Sequence, residues 1–218
     1  MLRRILLAGL VAGLIGGIVI SIVQEFTTTP LILHAEEFES GQSHASSGGE
    51  AEAWAPADGI QRTLFTSFGN IVAGMGFALM LVAGFALHGG EIDGRRGIIW
   101  GLAGFAVFSL APALGLPPEV PGAMAAELVP RQGWWLSTAA ATALGLGLMV
   151  FGRNLVWIVL GVVVLAAPHI IGAPHPDKLG GPVPPELAAH FVAASLVTAA
   201  VFWAILGWLS GTLYRRLS

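Results

Sequence analysis

The chain has 218 residues, of which 55% are hydrophobic and only 11% are charged. Soluble domains carry about 25% charged residues, so the composition excludes an ordinary water-soluble domain and predicts an integral membrane protein. The formal net charge of −3 excludes the basic surface that nucleic-acid binding requires. Because the sequence contains no cysteine, disulfides, iron–sulfur clusters and thiolate metal sites are excluded as well.

Apolar stretches of about 20 residues, the length that crosses roughly 30 Å of hydrocarbon, recur along the chain. Five are uninterrupted, and a sixth contains Pro168 and His169. We therefore predict an all-α membrane protein, a bundle of about six transmembrane helices whose fifth member is short or broken at Pro168. The predicted helices cover residues 5–23, 64–87, 98–116, 134–151, 155–173 and 187–213. Small residues four apart predict close helix packing, and they are Gly9, Gly13, Gly17, Gly207 and Gly211.

The few charges are sorted along the chain. With six crossings and a cytoplasmic N-terminus, most arginines lie inside, as the positive-inside rule requires, and the outer face is acidic. A five-crossing chain would place Arg215 and Arg216 outside, so six crossings in the cytoplasmic (inner) membrane are preferred. The first segment could alternatively be a signal peptide, but it is long for one and lacks a small-residue cleavage site. The seven arginines predicted inside are Arg3, Arg4, Arg95, Arg96, Arg153, Arg215 and Arg216.

Two outer loops stand out. In residues 24–61, the Thr27–Pro30 run is typical of a helix start and predicts a short helix through Phe38, followed by a flexible tract over residues 40–53. In the last outer loop, prolines 168, 174 and 176 predict irregular backbone near the membrane. Such backbone is tolerated only where it is buried in protein or lines a wet cavity, and interrupted segments often mark transport sites.

Five of the six histidines map to the predicted outer face, together with most carboxylates. Imidazole and carboxylate ligands without thiolate suit Co²⁺, Ni²⁺ or Zn²⁺. Each candidate also has a structural interpretation: a solvated or headgroup role for His34, helix capping for His169 and an interface hydrogen bond for His190. His44, in the flexible tract, is interpreted as a bystander. The candidate metal ligands from this pattern are His34, Glu36, His169, His175 and His190.

Four motifs in this sequence resemble the CbtA family, the probable cobalt transporter subunit. They are PLILHAE at residues 30–36, LAPALGLPPE at 110–119, RQGWW at 131–135 and PHIIGAPHP at 168–176. The resemblance implies cobalt uptake for cobalamin synthesis with a CbtB-like partner, a small one-helix protein with a histidine-rich end. Family members are often described with five crossings, in contrast to the six predicted here. The residues that match these motifs are His34, Glu36, Glu119, His169 and His175.

We therefore expect a transport subunit and not an enzyme, with no permanently bound cofactor and with Co²⁺, or alternatively Ni²⁺, as the transported ion. Its expected partners are the lipid bilayer and the CbtB-like subunit, and a homo-oligomer is compatible with the sequence. No ionisable residue falls in the middle of a predicted helix and no phosphate-binding loop occurs, so energy must come from a gradient or another subunit. One alternative is a non-transporting scaffold for a separate permease. A haem or quinone subunit is disfavoured because axial histidines normally face each other from helices.

Overall fold

The computed structural model describes residues 1–43, 56–176 and 180–217, and within these ranges the chain is helical with no strand. The all-α membrane bundle predicted from the sequence is therefore confirmed. Five helices are long and apolar enough to cross a membrane, and α6 is apolar but only 17 residues long. The helices are α1 Leu2–Phe26, α2 Thr29–Ser43, α3 Ile60–His88, α4 Gly94–Ala113, α5 Leu128–Phe151, α6 Leu155–Ile171 and α7 Pro185–Arg216.

Helix α2 begins where the Thr27–Pro30 run predicts a helix, but it continues past Phe38 to Ser43. Residues 40–43, predicted to be flexible from their composition, are thus helical. The composition of a short segment does not show whether the preceding helix continues into it for one more turn. The remainder of that tract, residues 44–53 with His44, lies outside the described residues. Buried Ala35 packs α2 against Val120 and Phe191, so that α2 covers one end of the bundle.

Helices α1 and α3 pack through the glycine stripe of α1. A β-carbon on Gly17 would lie 2.5 Å from the Cα of Ile71, and one on Gly13 would overlap the backbone of Met75. The two backbones are therefore in direct contact, as the spacing of the glycines predicts. This closeness matters because lipid provides little hydrophobic drive between helices, so association depends on close packing.

Helices α4 and α7 form a second glycine seam. A β-carbon on Gly97 would overlap the carbonyl oxygen of Gly207, and one on Gly211 would lie 3.1 Å from the Cα of Gly97. The spacing in α7 indicated Gly207 and Gly211, whereas their partners in α4 follow only from the tertiary structure. Together α1, α3, α4 and α7 enclose the core, in which Phe85, Trp203 and Leu206 are buried.

The beginning of α1 and the end of α7 meet at the same end of the bundle. The Nε of Arg4 donates to the carbonyl oxygen of Tyr214 at 2.8 Å, and its guanidinium lies 3.5 Å from the centre of the Tyr214 ring. Nearby, Arg215 lies 4.0 Å from Asp93. We call this end, marked by Arg4 and Tyr214, the terminal end, and the opposite end, covered by α2, the loop end.

The sequence predicts a fifth segment that is short or broken at Pro168. The segment is short, with 17 residues, and only the alternative of a break at Pro168 is wrong. Helix α6 continues through Pro168 to Ile171, and irregular backbone begins at Gly172, which has a φ of 90°. Pro168 lies in the last turn, so it removes a single intrahelical hydrogen bond. Its carbonyl accepts hydrogen bonds from the Gly172 N–H at 3.0 Å and from the Trp134 indole at 3.1 Å, which anchor the end of α6 to α5.

Candidate functional site

Helix α4 contains one π turn, Ala106–Leu110. Pro112 follows the π turn and has no N–H to donate to the carbonyl of Phe108. The Ala111 N–H bonds to the Ala106 carbonyl, five residues back, and not to a carbonyl four residues back as in an α-helix. Such widened turns are frequent at functional sites. This one places Phe108 and Ser109 on the wall of a cavity.

The cavity, which we call the inner cavity, has a volume of about 410 Å³ and lies between α1, α3, α4 and α7. Among the described residues its lining contains amides, hydroxyls and apolar groups, and no charged side chain. Its surface therefore offers hydrogen bonds without a fixed charge. The polar lining residues are Gln24, Thr28, Asn70, Ser109, Ser195 and Thr198.

Asn70 is held in one orientation by two hydrogen bonds to α1. Its Nδ2 donates to the hydroxyl oxygen of Ser21 at 3.0 Å and to Oε1 of Gln24 at 2.6 Å. The Ser21 hydroxyl donates to the Gly17 carbonyl at 2.8 Å, so it can only accept from Asn70. Both amide hydrogens of Asn70 are thus used, and within the described part of the chain its Oδ1 has no hydrogen-bond partner. The Asn70 side-chain oxygen is therefore available as a hydrogen-bond acceptor.

A second polar contact joins α1 to α7 beside the inner cavity. The hydroxyls of Thr27 and Thr198 lie 3.2 Å apart. The Thr27 hydroxyl donates to the Val23 carbonyl at 2.9 Å, so Thr198 is the donor of the pair. The two helices are thereby fixed relative to each other near the loop end.

An outer cavity of about 340 Å³ adjoins the inner one, and the two share Gln24, Thr28, Ile32 and Asn70 as lining residues. The outer cavity is charged, since it also contains Glu25 and Arg62.

Arg62 is occupied by two carboxylates, with Glu36 and Asp58 each 2.7 Å from its guanidinium. Glu25 makes no ion pair within the described residues. Glu25, Arg62 and the two carboxylate partners of Arg62, which together we call the acidic mouth, carry a formal net charge of −2, since three carboxylates stand against one guanidinium. Charge of one sign at a cleft concentrates ions of the other. The mouth therefore attracts cations.

Four aromatic rings form the wall of the inner cavity that faces the terminal end. Phe108 stacks on Trp203 with ring centres 5.7 Å apart, Phe77 lies 4.8 Å from Trp203, and Phe202 lies 5.9 Å from Trp203. Trp203 can occupy this position because Gly104 presents no side chain to its ring. These four residues also belong to the hydrophobic core, and we call them the aromatic floor.

The two predicted carboxylate ligands are each engaged by an arginine. Glu36 pairs with Arg62 at 2.7 Å, and Glu119 pairs with Arg131 at 2.8 Å. Sequence separations of 26 and 12 residues give no signal for these pairs. Each arginine bonds to one oxygen of its carboxylate, Oε1 of Glu36 and Oε2 of Glu119, and its positive charge opposes the binding of a metal ion beside it.

The predicted histidines lie toward the loop end but are dispersed there. His34 is exposed beside Phe38, with ring centres 5.4 Å apart, and His175 and His190 are also exposed. His169 is half-buried against Trp134 at 5.7 Å, and its buried Nε2 has no hydrogen-bond partner in the described structure. Among the described residues no group of three or more histidines and carboxylates is arranged to hold a metal ion. The predicted ligand set thus remains a prediction.

Five helices that are long and apolar enough to cross a membrane define a multi-pass α-helical membrane protein. Over residues 2–215 the chain matches the CbtA family, described as a probable cobalt transporter subunit. The chain therefore belongs to the CbtA family. Comparison with curated proteins and with solved structures finds no match.

Proposed function

We propose that this chain is the membrane subunit of a cobalt uptake system that supports cobalamin synthesis, and that the ion enters the chain at the loop end. The description of the family names cobalt as the transported ion and indicates that the chain is one subunit of a larger system. The observation that supports the path is the pair of adjoining cavities with amides and hydroxyls in their walls, which lie beneath an acidic mouth and end at the aromatic floor. An arriving cation would be attracted by the mouth, accommodated by the cavities and retained by the floor.

The distribution of arginine supports the direction of transport. Seven arginines lie at the terminal end or in the turns that face it, and the positive-inside rule assigns such an end to the cytoplasm. The loop end, with its carboxylates and histidines, then faces outward in an inner membrane. Helix α6, about 25 Å long at 1.5 Å per residue, serves as the fifth of six crossings. The arginines are Arg3, Arg4, Arg95, Arg96, Arg153, Arg215 and Arg216.

Within this proposal the histidines of the loop end capture the metal. His34, His169, His175 and His190 offer single imidazoles, which prefer Co²⁺ or Ni²⁺ to Mg²⁺. Because these histidines are dispersed, each one binds the ion alone, so each contact is weak and short-lived. A CbtB-like one-helix partner with a histidine-rich end would supply the further ligands that convert such contacts into a site.

Uptake of radioactive cobalt by cells tests the capture step. We expect the double variant His169→Ala, His175→Ala to take up Co²⁺ more slowly than the wild type at equal membrane abundance. His88→Ala is the matched control, because His88 is also exposed but lies at the terminal end against Trp100 and Phe151. Wild-type uptake by the double variant would remove these histidines from the mechanism.

A second candidate function is that of a non-transporting scaffold for a separate permease. It is favoured by the dispersion of the ligands in the described structure. Liposomes that contain this chain alone, or this chain with its partner subunit, distinguish the two functions. If a partner transports Co²⁺ equally well with and without this chain, the scaffold is the correct assignment.

A further inference from the structure

We propose that the inner cavity binds a divalent cation that keeps its own water shell, and that Asn70, Gln24 and Thr198 recognise this hydrated ion by hydrogen bonds without direct ligation. The inference rests on the proposed function and specifies the chemical form of the ion inside the chain. It concerns a region distinct from the histidines of the loop end.

The lining of the cavity has the chemistry of a second coordination sphere. Its described residues provide no imidazole and no carboxylate, the ligands that replace water on Co²⁺. Water molecules coordinated to a cation present hydrogens outward, so they require acceptors. Asn70 supplies one, because its amide hydrogens are committed to Ser21 and Gln24 and its Oδ1 is left over.

The rigidity of these acceptors supports the same conclusion. Asn70 is fixed to α1, and Thr198 is fixed to Thr27 at 3.2 Å. Acceptors that are held in place by their helices line a space of fixed width, which suits a complex of fixed size.

The volume of the cavity suits a hydrated ion. Six waters at about 30 Å³ each occupy about 180 Å³, which leaves room in a cavity of about 410 Å³ for part of a second shell. An ion that retains its shell also avoids most of the cost of desolvation, which is large in an apolar environment.

The charged mouth attracts the cation, and the neutral inner cavity allows its release. The net charge of −2 lies at the mouth, around Arg62 and Glu25, whereas the described lining of the inner cavity is neutral. A path that binds too strongly does not conduct. A hydrated ion in the neutral cavity is held only by hydrogen bonds and can move on when the aromatic floor opens.

Cobalt(III) hexaammine tests the inference, because it has the octahedral shape and outward N–H groups of a hydrated ion but exchanges its ligands extremely slowly. We expect it to bind the purified chain in lipid nanodiscs and to compete with Co²⁺ there, as measured by equilibrium dialysis. The larger cobalt(III) tris(ethylenediamine) should compete more weakly. Equal competition by the two complexes would indicate attraction by the charged mouth alone and would overturn the inference.

Variants assign the binding to the inner cavity. Asn70→Leu should weaken hexaammine binding about tenfold, the effect of one lost hydrogen bond to a charged group, while Asn70→Asp should strengthen it. Thr198→Val, nearly isosteric, should weaken it without loss of the fold. Ser137→Ala is the control, since the exposed Ser137 hydroxyl bonds to the Gly133 carbonyl in its own helix and, among the described residues, to no other group.

The two proposals fail in different ways. If cells take up Co²⁺ through this chain but hexaammine neither binds nor competes, the ion loses its water and the inference is wrong while the proposed function stands. If hexaammine binds in an Asn70-dependent manner but no Co²⁺ uptake depends on the chain, the proposed function is wrong and the hydrated-cation site stands.

Discussion

The glycine seam between α4 and α7 makes a quantitative prediction for Gly207→Ala. A β-carbon at this position would overlap the carbonyl oxygen of Gly97 and lie 3.0 Å from the Cα of Gly101. Both neighbours are backbone atoms, so no side chain can rotate away and the helices must separate. Overpacking of this kind costs about 1–3 kcal/mol.

The matched control is Gly76→Ala in α3, where a β-carbon would meet no atom within 4 Å. Both substitutions carry the same gain in intrinsic helix preference, about 1 kcal/mol, which cancels when the variants are compared. For a chain of this length, 1 kcal/mol corresponds to about 2–4 °C in Tm. We therefore expect Gly207→Ala to melt about 2–12 °C below Gly76→Ala.

The assay is thermal unfolding in one detergent at one protein concentration, followed by tryptophan fluorescence and checked by gel filtration. One of the seven tryptophans, buried Trp203, lies one turn from Gly207, so part of the fluorescence change comes from this seam. Equal Tm values for the two variants would show that α4 and α7 are not in backbone contact, and the arrangement of the cavity wall would then be wrong.

Three further predictions concern the floor, the α5–α6 contact and the first turn of α4. Phe77→Ala removes a ring 4.8 Å from Trp203 and should raise passive Co²⁺ leak through proteoliposomes; an unchanged leak would show that the floor is not a barrier. Trp134→Phe removes the hydrogen bond to the Pro168 carbonyl and should lower the free energy of unfolding by about 0.5–1.5 kcal/mol, measured by denaturant titration. The Arg96 N–H holds the pKa of Asp93 below its usual 3.8, so this stabilisation is complete above pH 3.8 and is lost as the pH falls through the lowered pKa. Asp93→Asn should lose less stability than the wild type over that acid range, and parallel acid-unfolding curves would contradict the assignment.

The helices were predictable because each depends on a local signal: apolar length for the spanning segments, a threonine and proline run for α2, and glycine spacing for the seams. Pro168 misled because a proline in the last turn loses only its own hydrogen bond to the preceding turn, and the three residues that follow it can still complete the helix.

The cavities were not predictable, since they depend on which helices become neighbours. Gln24 and Asn70 are 46 residues apart, and their 2.6 Å hydrogen bond exists only because α1 and α3 pack through glycine. The pairing of Glu36 with Arg62 is likewise tertiary. In both cases the sequence provided the polar residues but gave no indication of their partners.

The neutrality of the inner cavity leads to a last prediction, about the energy source. None of its described lining residues exchanges a proton at physiological pH, so the ion cannot be driven through it by proton exchange at that site. The membrane potential acts directly on the ion: one charge gains about 2.3 kcal/mol per 100 mV, so Co²⁺ gains about 4.6 kcal/mol, an accumulation on the order of a thousandfold. In proteoliposomes with the partner subunit, an inside-negative potassium diffusion potential should accelerate Co²⁺ uptake, and a pH gradient of equal energy at zero potential should not. Uptake that follows the pH gradient instead would contradict this prediction and would assign the coupling to ionisable groups outside the inner cavity, such as Glu25 or the histidines of the loop end.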